Sequence, residues 1–163
     1  MPDFNSHLVQ AKRNLRFIED LCSSHFNNYW DWKVTACFYT AVHLIDAHIA
    51  SKMRMHYTSH KQVDTVISFK NDLSPCRLDQ DTYLAYASLQ ILSRRSRYLI
   101  NMNNLDNKET AQFTYSVHLK KAIKKLDLLM DFIDKEYNTD FHQTKIKCIE
   151  LKNVKLNYFI VLT

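Results

Sequence analysis

In the stretch from Cys37 to His60, CFYTAVHLIDAHIASKMRMHYTSH, Tyr39, His43 and Asp46 are spaced i, i+4 and i+7, so a helix puts them on one face. An imidazole one turn from a carboxylate holds a fixed tautomer or stays protonated, and either suits a binding site. The alternative is that Asp46 satisfies His43 inside a packed helix. A second group lies further on, where the run SRRSRY sets Arg94, Arg95, Arg97 and Tyr98 beside an apolar stripe. Guanidinium groups fork onto phosphates and tyrosines stack on bases, the pairing a nucleotide or RNA site uses. The plainer alternative is a solvated helix end whose cations complement the helix dipole. His56 and His60 are four apart, but they straddle a loop and a helix start, and no cysteine or carboxylate completes a recognisable ligand set. No metal site and no cofactor is therefore expected, and no Ser/His/Asp or Cys/His nucleophile follows from spacing.

The elements that must position these residues are bounded first by what the chain lacks. Among 163 residues there is no glycine, where average usage of about 7% would supply about eleven. A P-loop, a dinucleotide-binding G-x-G-x-x-G turn and a G-x-S-x-G nucleophile elbow each need backbone that glycine supplies at low cost, so all three are excluded. Primed hairpin turns lose their favoured residue as well, and with two prolines the chain reads as mainly helical, its turns made by Asn, Asp and Ser. A hydrophobic content of 46% is enough for one buried core. Lys and Arg together number 22 against 17 for Asp and Glu, a net charge of +5 spread along the chain. That excess permits a nucleic acid or nucleotide partner without demanding one. Cys22, Cys37, Cys76 and Cys148 form no C-x-x-C pair, MPDFNSHLVQ lacks the apolar core of a signal peptide, and no apolar run approaches the ~20 residues of a membrane span. A cytoplasmic chain with reduced thiols and no membrane partner is expected.

Hydrophobic spacing predicts a helix over residues 5–22, with Leu8, Ala11, Leu15, Ile18 and Cys22 inward. A second is expected over 31–50, N-capped by Asp31 and apolar on nearly every side, hence central. Ser59-His-Lys-Gln62 has the form of a capping box opening a third, shorter helix with Val63, Val66 and Ile67 inward. A fourth is expected over 78–101, burying Ala85, Leu89, Leu92 and Leu99, and a loop over 101–109 follows it. A fifth, over 110–137, carries Tyr115, Leu119, Ala122, Leu126, Leu129, Ile133 and Tyr137 in a near-heptad stripe. Beyond Asn138 the pattern alternates imperfectly, which predicts a C-terminal appendage of one or two short strands or an extended tail. The domain division is thus a bundle over 1–138 and an appendage over 139–163.

The runs FYTAVHLIDAHIA, TSHKQV and YLAYASLQILSRRSRY, in that order over residues 31–101, resemble the HEPN superfamily of small helical bundles. The resemblance implies an all-α, up-and-down bundle of about five helices that dimerises, in a family occupied with RNA cleavage, nucleotide binding or partnership with nucleotidyltransferases. Active members of the family use an R-x(4-6)-H motif near the start of a late helix. This chain departs from that pattern, because the next histidine after Arg94, Arg95 and Arg97 is His118. A literal R-x(5)-H joins Arg54 to His60, in the connection before the third helix. If it were active, His60 would be the acid/base and Arg54 would stabilise phosphate charge.

The leading expectation is a HEPN-like homodimer that binds a nucleotide, RNA or a partner protein in a groove between the second and fourth helices. Its binding residues are Tyr39, His43, Asp46, Arg94, Arg97 and Tyr98. The alternatives are a metal-independent ribonuclease of the toxin type, acting through Arg54 and His60, and a purely structural or adaptor dimer.

Overall fold

A computed structural model of the chain describes residues 1–23, 26, 28–100 and 111–162. Among these, five α-helices form a bundle, α1 (Phe4–Ser23), α2 (Trp30–Met53), α3 (His60–Ile67), α4 (Gln80–Tyr98) and α5 (Ser116–Tyr137), followed by two short strands, β1 (Thr144–Lys147) and β2 (Phe159–Leu162). The fold is therefore the all-α bundle with a short β segment that the hydrophobic spacing predicts. The loop expected over 101–109 lies outside the described residues.

α2 occupies the centre and packs against α1, α4 and α5. Its side chains explain why: Val34, Cys37, Phe38, Ala41, Leu44, Ile45 and Ile49 are all inaccessible to water to within 1% and point in several directions round the axis. A helix apolar on all sides is stable only when covered on all sides. α1 covers one flank through Ala11, Leu15, Ile18 and Cys22, α4 another through Ala85, Tyr86 and Leu89, and α5 a third through Leu119, Ala122, Leu126, Leu129 and Ile133. No helix among the described residues is long and apolar enough to cross a membrane. The four cysteines are free and buried.

Helix ends differ from the sequence expectation in four places, each for a local reason. α2 begins at Trp30 with Tyr29 as its N-cap, and Asp31 lies inside the first turn, where its charge complements the dipole without capping. Ser59 holds the N-cap position of α3 but makes no side-chain cap bond, so the expected capping box is not formed. α4 starts where Asp79 accepts hydrogen bonds from the Thr82 N–H (2.9 Å) and hydroxyl (2.5 Å), and ends at Tyr98. Leu99, expected in the core, is instead the α4 C-cap and 41% exposed. α5 starts at Ser116 rather than 110; Tyr115 is its N-cap, 55% exposed, and the Tyr115 N–H donates to Nδ1 of His118 at 2.9 Å.

The C-terminal segment closes on the same core. β1 and β2 pair in parallel, Thr144 opposite Phe159 and Lys147 opposite Leu162, with a 3₁₀ turn at Ile149–Leu151 in the connection. Ile146, Leu151 and Phe159 are buried with the helices. Two aspartates of α5 anchor the segment. Asp127 accepts from the Asn157 and Tyr158 N–H groups at 3.0 and 2.8 Å. Asp134 accepts from the Thr139 and Asp140 N–H groups at 3.0 and 3.1 Å and from the Tyr158 hydroxyl at 3.1 Å.

Without glycine, the left-handed residues that end the helices must be something else. α2, α4 and α5 end on Arg54, Leu99 and Asn138, with φ of 53°, 56° and 51°. Asparagine tolerates this region; arginine and leucine carry a Cβ clash worth about 1 kcal/mol. Leu99→Gly removes that clash at an exposed site and should raise the melting temperature by about 1–4 °C. Thermal unfolding followed by circular dichroism measures it, and an unchanged or lower melting point would show that the Leu99 side chain contributes more than its backbone costs.

Candidate functional site

The polar face of α2 is built against α1. Asp3 caps α1 by accepting from the Ser6 N–H at 2.8 Å, which sets the helix so that His7 falls one turn before Ala11 on the buried stripe. His7 is 4% exposed and lies against the two polar residues of α2, its Nδ1 3.2 Å from Nδ1 of His43 and 4.0 Å from Oδ2 of Asp46. From the connection after α2, His56 stacks on the His7 ring, centroids 5.3 Å apart at 20° between planes.

This is a cluster of three imidazoles and one carboxylate, with His7 and Asp46 buried and His43 and His56 half-buried. Burial, and then the neighbouring His43 and His56, push the His7 pKa down from its ordinary 6.5 to about 4. His43 is lowered by burial and by His56. Burial raises the Asp46 pKa from 3.8 to about 6, with His56 pulling the other way. His7 is thus neutral at pH 7, and its contact with Asp46 is not an ion pair. Two buried nitrogens of the cluster, Nε2 of His7 and Nδ1 of His56, have no hydrogen-bond partner. Groups of this kind normally find one, because an unpaired buried polar atom costs about 1–3 kcal/mol.

The arginine group is a separate place. Arg97 of α4 reaches back to α2, where its guanidinium carbon is 5.9 Å from the Phe38 ring centroid, 5.8 Å from Tyr39 and 5.1 Å from Tyr98. Its Nη1 is 3.4 Å from the Tyr39 hydroxyl. Among the described residues no carboxylate pairs with it. Tyr98 is 61% exposed, and His60 at the start of α3 abuts the same Phe38 ring at 5.6 Å. Arg94 is turned towards α3, where burial raises the pKa of Asp64, opposed by its hydrogen bond with Gln90 and then by His60 and Arg94. Arg95 donates to the Phe113 carbonyl at 2.9 Å.

The six residues expected to share one groove therefore fall into two settings. Tyr39, Arg97 and Tyr98 meet between α2 and α4, with Arg94 one turn away facing Asp64. His43 and Asp46 meet His7 and His56 on the α1 side. Tyr39 touches both, because it also lines, with His43, Asn14, Phe17 and Trp32, an open groove of about 280 Å³ between α1 and α2. Arg54 is the exposed left-handed cap of α2, and it makes no hydrogen bond or ring contact with His60. The histidine pair four apart is not brought together as ligands either: His56 joins His7 and Asp46, whereas His60 points to Phe38. His7 was the residue the spacing argument missed. The signal was present, since His7 continues the Ala11, Leu15, Ile18, Cys22 stripe one turn towards the N-terminus.

No family model matches the chain, and neither a curated protein nor a solved structure matches it.

His48, the remaining polar residue of the quoted stretch, is satisfied inside the bundle. It is 3% exposed, with Nδ1 2.7 Å from the Tyr137 hydroxyl of α5 and Nε2 3.2 Å from the Cys76 carbonyl. With one nitrogen facing a carbonyl it must donate there, so Nδ1 accepts from Tyr137. Burial lowers its pKa, aided by Lys52 and opposed by the Cys76 bond and Glu136. The unfolded chain therefore takes up a proton at His48 below its ordinary pKa of about 6.5 while the native chain resists it, and this residue's contribution to stability shrinks as the pH falls through that range. His48→Gln should cost about 1–3 kcal/mol at pH 7.5 through lost hydrogen bonds. Urea unfolding of both proteins should show that gap narrowing between pH 6.5 and 5; a gap that stays constant or widens would mean that His48 is charged in the fold.

Proposed function

We propose that this chain is a HEPN-like bundle that binds a base-bearing phosphate, a nucleotide or a segment of single-stranded RNA, at the α2–α4 face. The observation that carries the reading is Arg97, a guanidinium set among Phe38, Tyr39 and Tyr98 at 5.1–5.9 Å with no carboxylate partner among the described residues. Aromatic neighbours hold the arginine extended without neutralising it, so its charge is available to a phosphate. The exposed ring of Tyr98 is where a base would stack, which is sequence-tolerant because every base has a π-face. A net charge of +5 favours the encounter. The order of the motifs FYTAVHLIDAHIA, TSHKQV and SRRSRY supports the family, and through the family a cytoplasmic homodimer, with a nucleotidyltransferase as a partner of the kind the superfamily uses.

Catalysis by Arg54 and His60 has less support, since no hydrogen bond or ring contact joins the two side chains and Arg54 serves as a helix cap. An adaptor role alone leaves the uncompensated Arg97 without a reason.

Fluorescence anisotropy with a labelled oligoribonucleotide of mixed sequence, competed by ATP, tests the reading. Arg97→Ala should weaken binding about tenfold or more, the loss of one charge-assisted contact of about 1.5–3 kcal/mol, with an unchanged circular dichroism spectrum. Competition by ATP at comparable concentration would assign a mononucleotide site, and its absence an RNA site. No binding by the parent at tens of micromolar, or equal binding by Arg97→Ala, would remove the proposal.

A further inference from the structure

The cluster on the α1 side of α2 has a chemistry that the α4 face does not need. His7, Asp46 and His56 each offer one donor atom, and these three atoms lie within 4.8 Å of one another. They come from three parts of the chain, the second turn of α1, the middle of α2 and the connection before α3, so the fold and not local sequence assembles them. Two of the nitrogens, Nε2 of His7 and Nδ1 of His56, are buried and unpartnered, and His7 is 4% exposed.

We propose that His7, Asp46 and His56 hold a divalent first-row transition ion, with His43 orienting His7. Two imidazoles and one carboxylate form a donor set suited to Zn²⁺ or Fe²⁺, and three protein ligands leave a position for water or a substrate oxygen. The His7–His43 contact at 3.2 Å supplies the outer partner that a metal-bound imidazole normally has: when His7 donates from Nδ1, its Nε2 keeps a lone pair. Tetrahedral bonds of about 2.0–2.1 Å would require the donors to draw in to about 3.3 Å from each other. An ion there would also give the buried carboxylate of Asp46 a cation. The four cysteines lie outside the cluster, so thiolate-selected Cu⁺ and iron–sulfur chemistry is not indicated. His43, which touches His7, also lines the open groove between α1 and α2.

The test uses the whole chain, stripped with EDTA and titrated with Co²⁺ and Zn²⁺, and with Fe²⁺ without oxygen. One Co²⁺ per chain should bind with the visible absorption of a low-symmetry four- or five-coordinate site, and Zn²⁺ should displace it, whereas Fe²⁺ should compete more weakly, as the affinity order of divalent first-row ions requires. Asp46→Asn and His56→Gln should each weaken Co²⁺ binding at least tenfold while keeping the parent's circular dichroism spectrum; His142→Gln, exposed and remote in sequence from the cluster, should not. Less than about 0.2 Co²⁺ per chain in the parent would overturn the proposal. So would stoichiometric uptake that both cluster variants retain, which would place the ion elsewhere. Because Arg97 is absent from the cluster, failure here leaves the nucleotide or RNA reading untouched, and the reverse also holds.

Discussion

The structure depends on one constraint: α2 is buried on nearly every side, so each polar group on its buried faces must be satisfied by a neighbour rather than by water. Thr40 meets the constraint within the helix, donating to the Ala36 carbonyl at 2.8 Å. His48 meets it through α5 and the loop before α4, bridging Tyr137 and the Cys76 carbonyl. His43 and Asp46 face another imidazole, His7, beside a third, His56, and Nε2 of His7 and Nδ1 of His56 are left without a partner. Burying polar groups without full pairing is costly, and such places in a well-packed core are where a fold gives up stability for something else.

Tyr39 marks the border between the two settings on this helix. On one side it meets Arg97 and the α4 surface, where charge is exposed and the surroundings are aromatic. On the other it lines the groove that leads to His43, where charge is suppressed by burial. The same helix thus presents a cationic surface suited to an anion and a neutral, lone-pair-rich interior suited to a cation. The opposite signs are set by environment: Arg97 is half-buried among π-faces, whereas burial, and then the neighbouring imidazoles of His43 and His56, disfavour a proton on His7.

Periodicity made the elements legible and left the neighbours open. The stripe of α1, the all-round apolarity of α2 and the heptad-like stripe of α5 are each visible in the sequence because a 3.6-residue repeat is local information. Helix ends were less legible. Asp31 and Ser59 have the right side chains for caps, but Tyr29 and an unbonded Ser59 hold those positions, while Leu99 looks like core and serves as a left-handed cap in a chain without glycine. The parallel pairing of β1 with β2 is a non-local contact fixed by Asp127 and Asp134 on α5, which no alternation pattern could reveal. The site shows the same division. That Tyr39, His43 and Asp46 share a face follows from spacing; that the face divides between α1 and α4, and that His7 and His56 complete it, follows only from packing.

The most direct test of the account is the protonation state of the buried imidazoles, read by long-range ¹H–¹⁵N NMR on the metal-free protein between pH 4 and 8. The constraint on α2 predicts that His7 and His48 both take up a proton below the ordinary 6.5, His7 only near pH 4, and that each neutral ring is locked in one tautomer. Both rings titrating freely near 6.5 would mean that water reaches them, and that α2 is not the enclosed helix on which the rest of the fold relies.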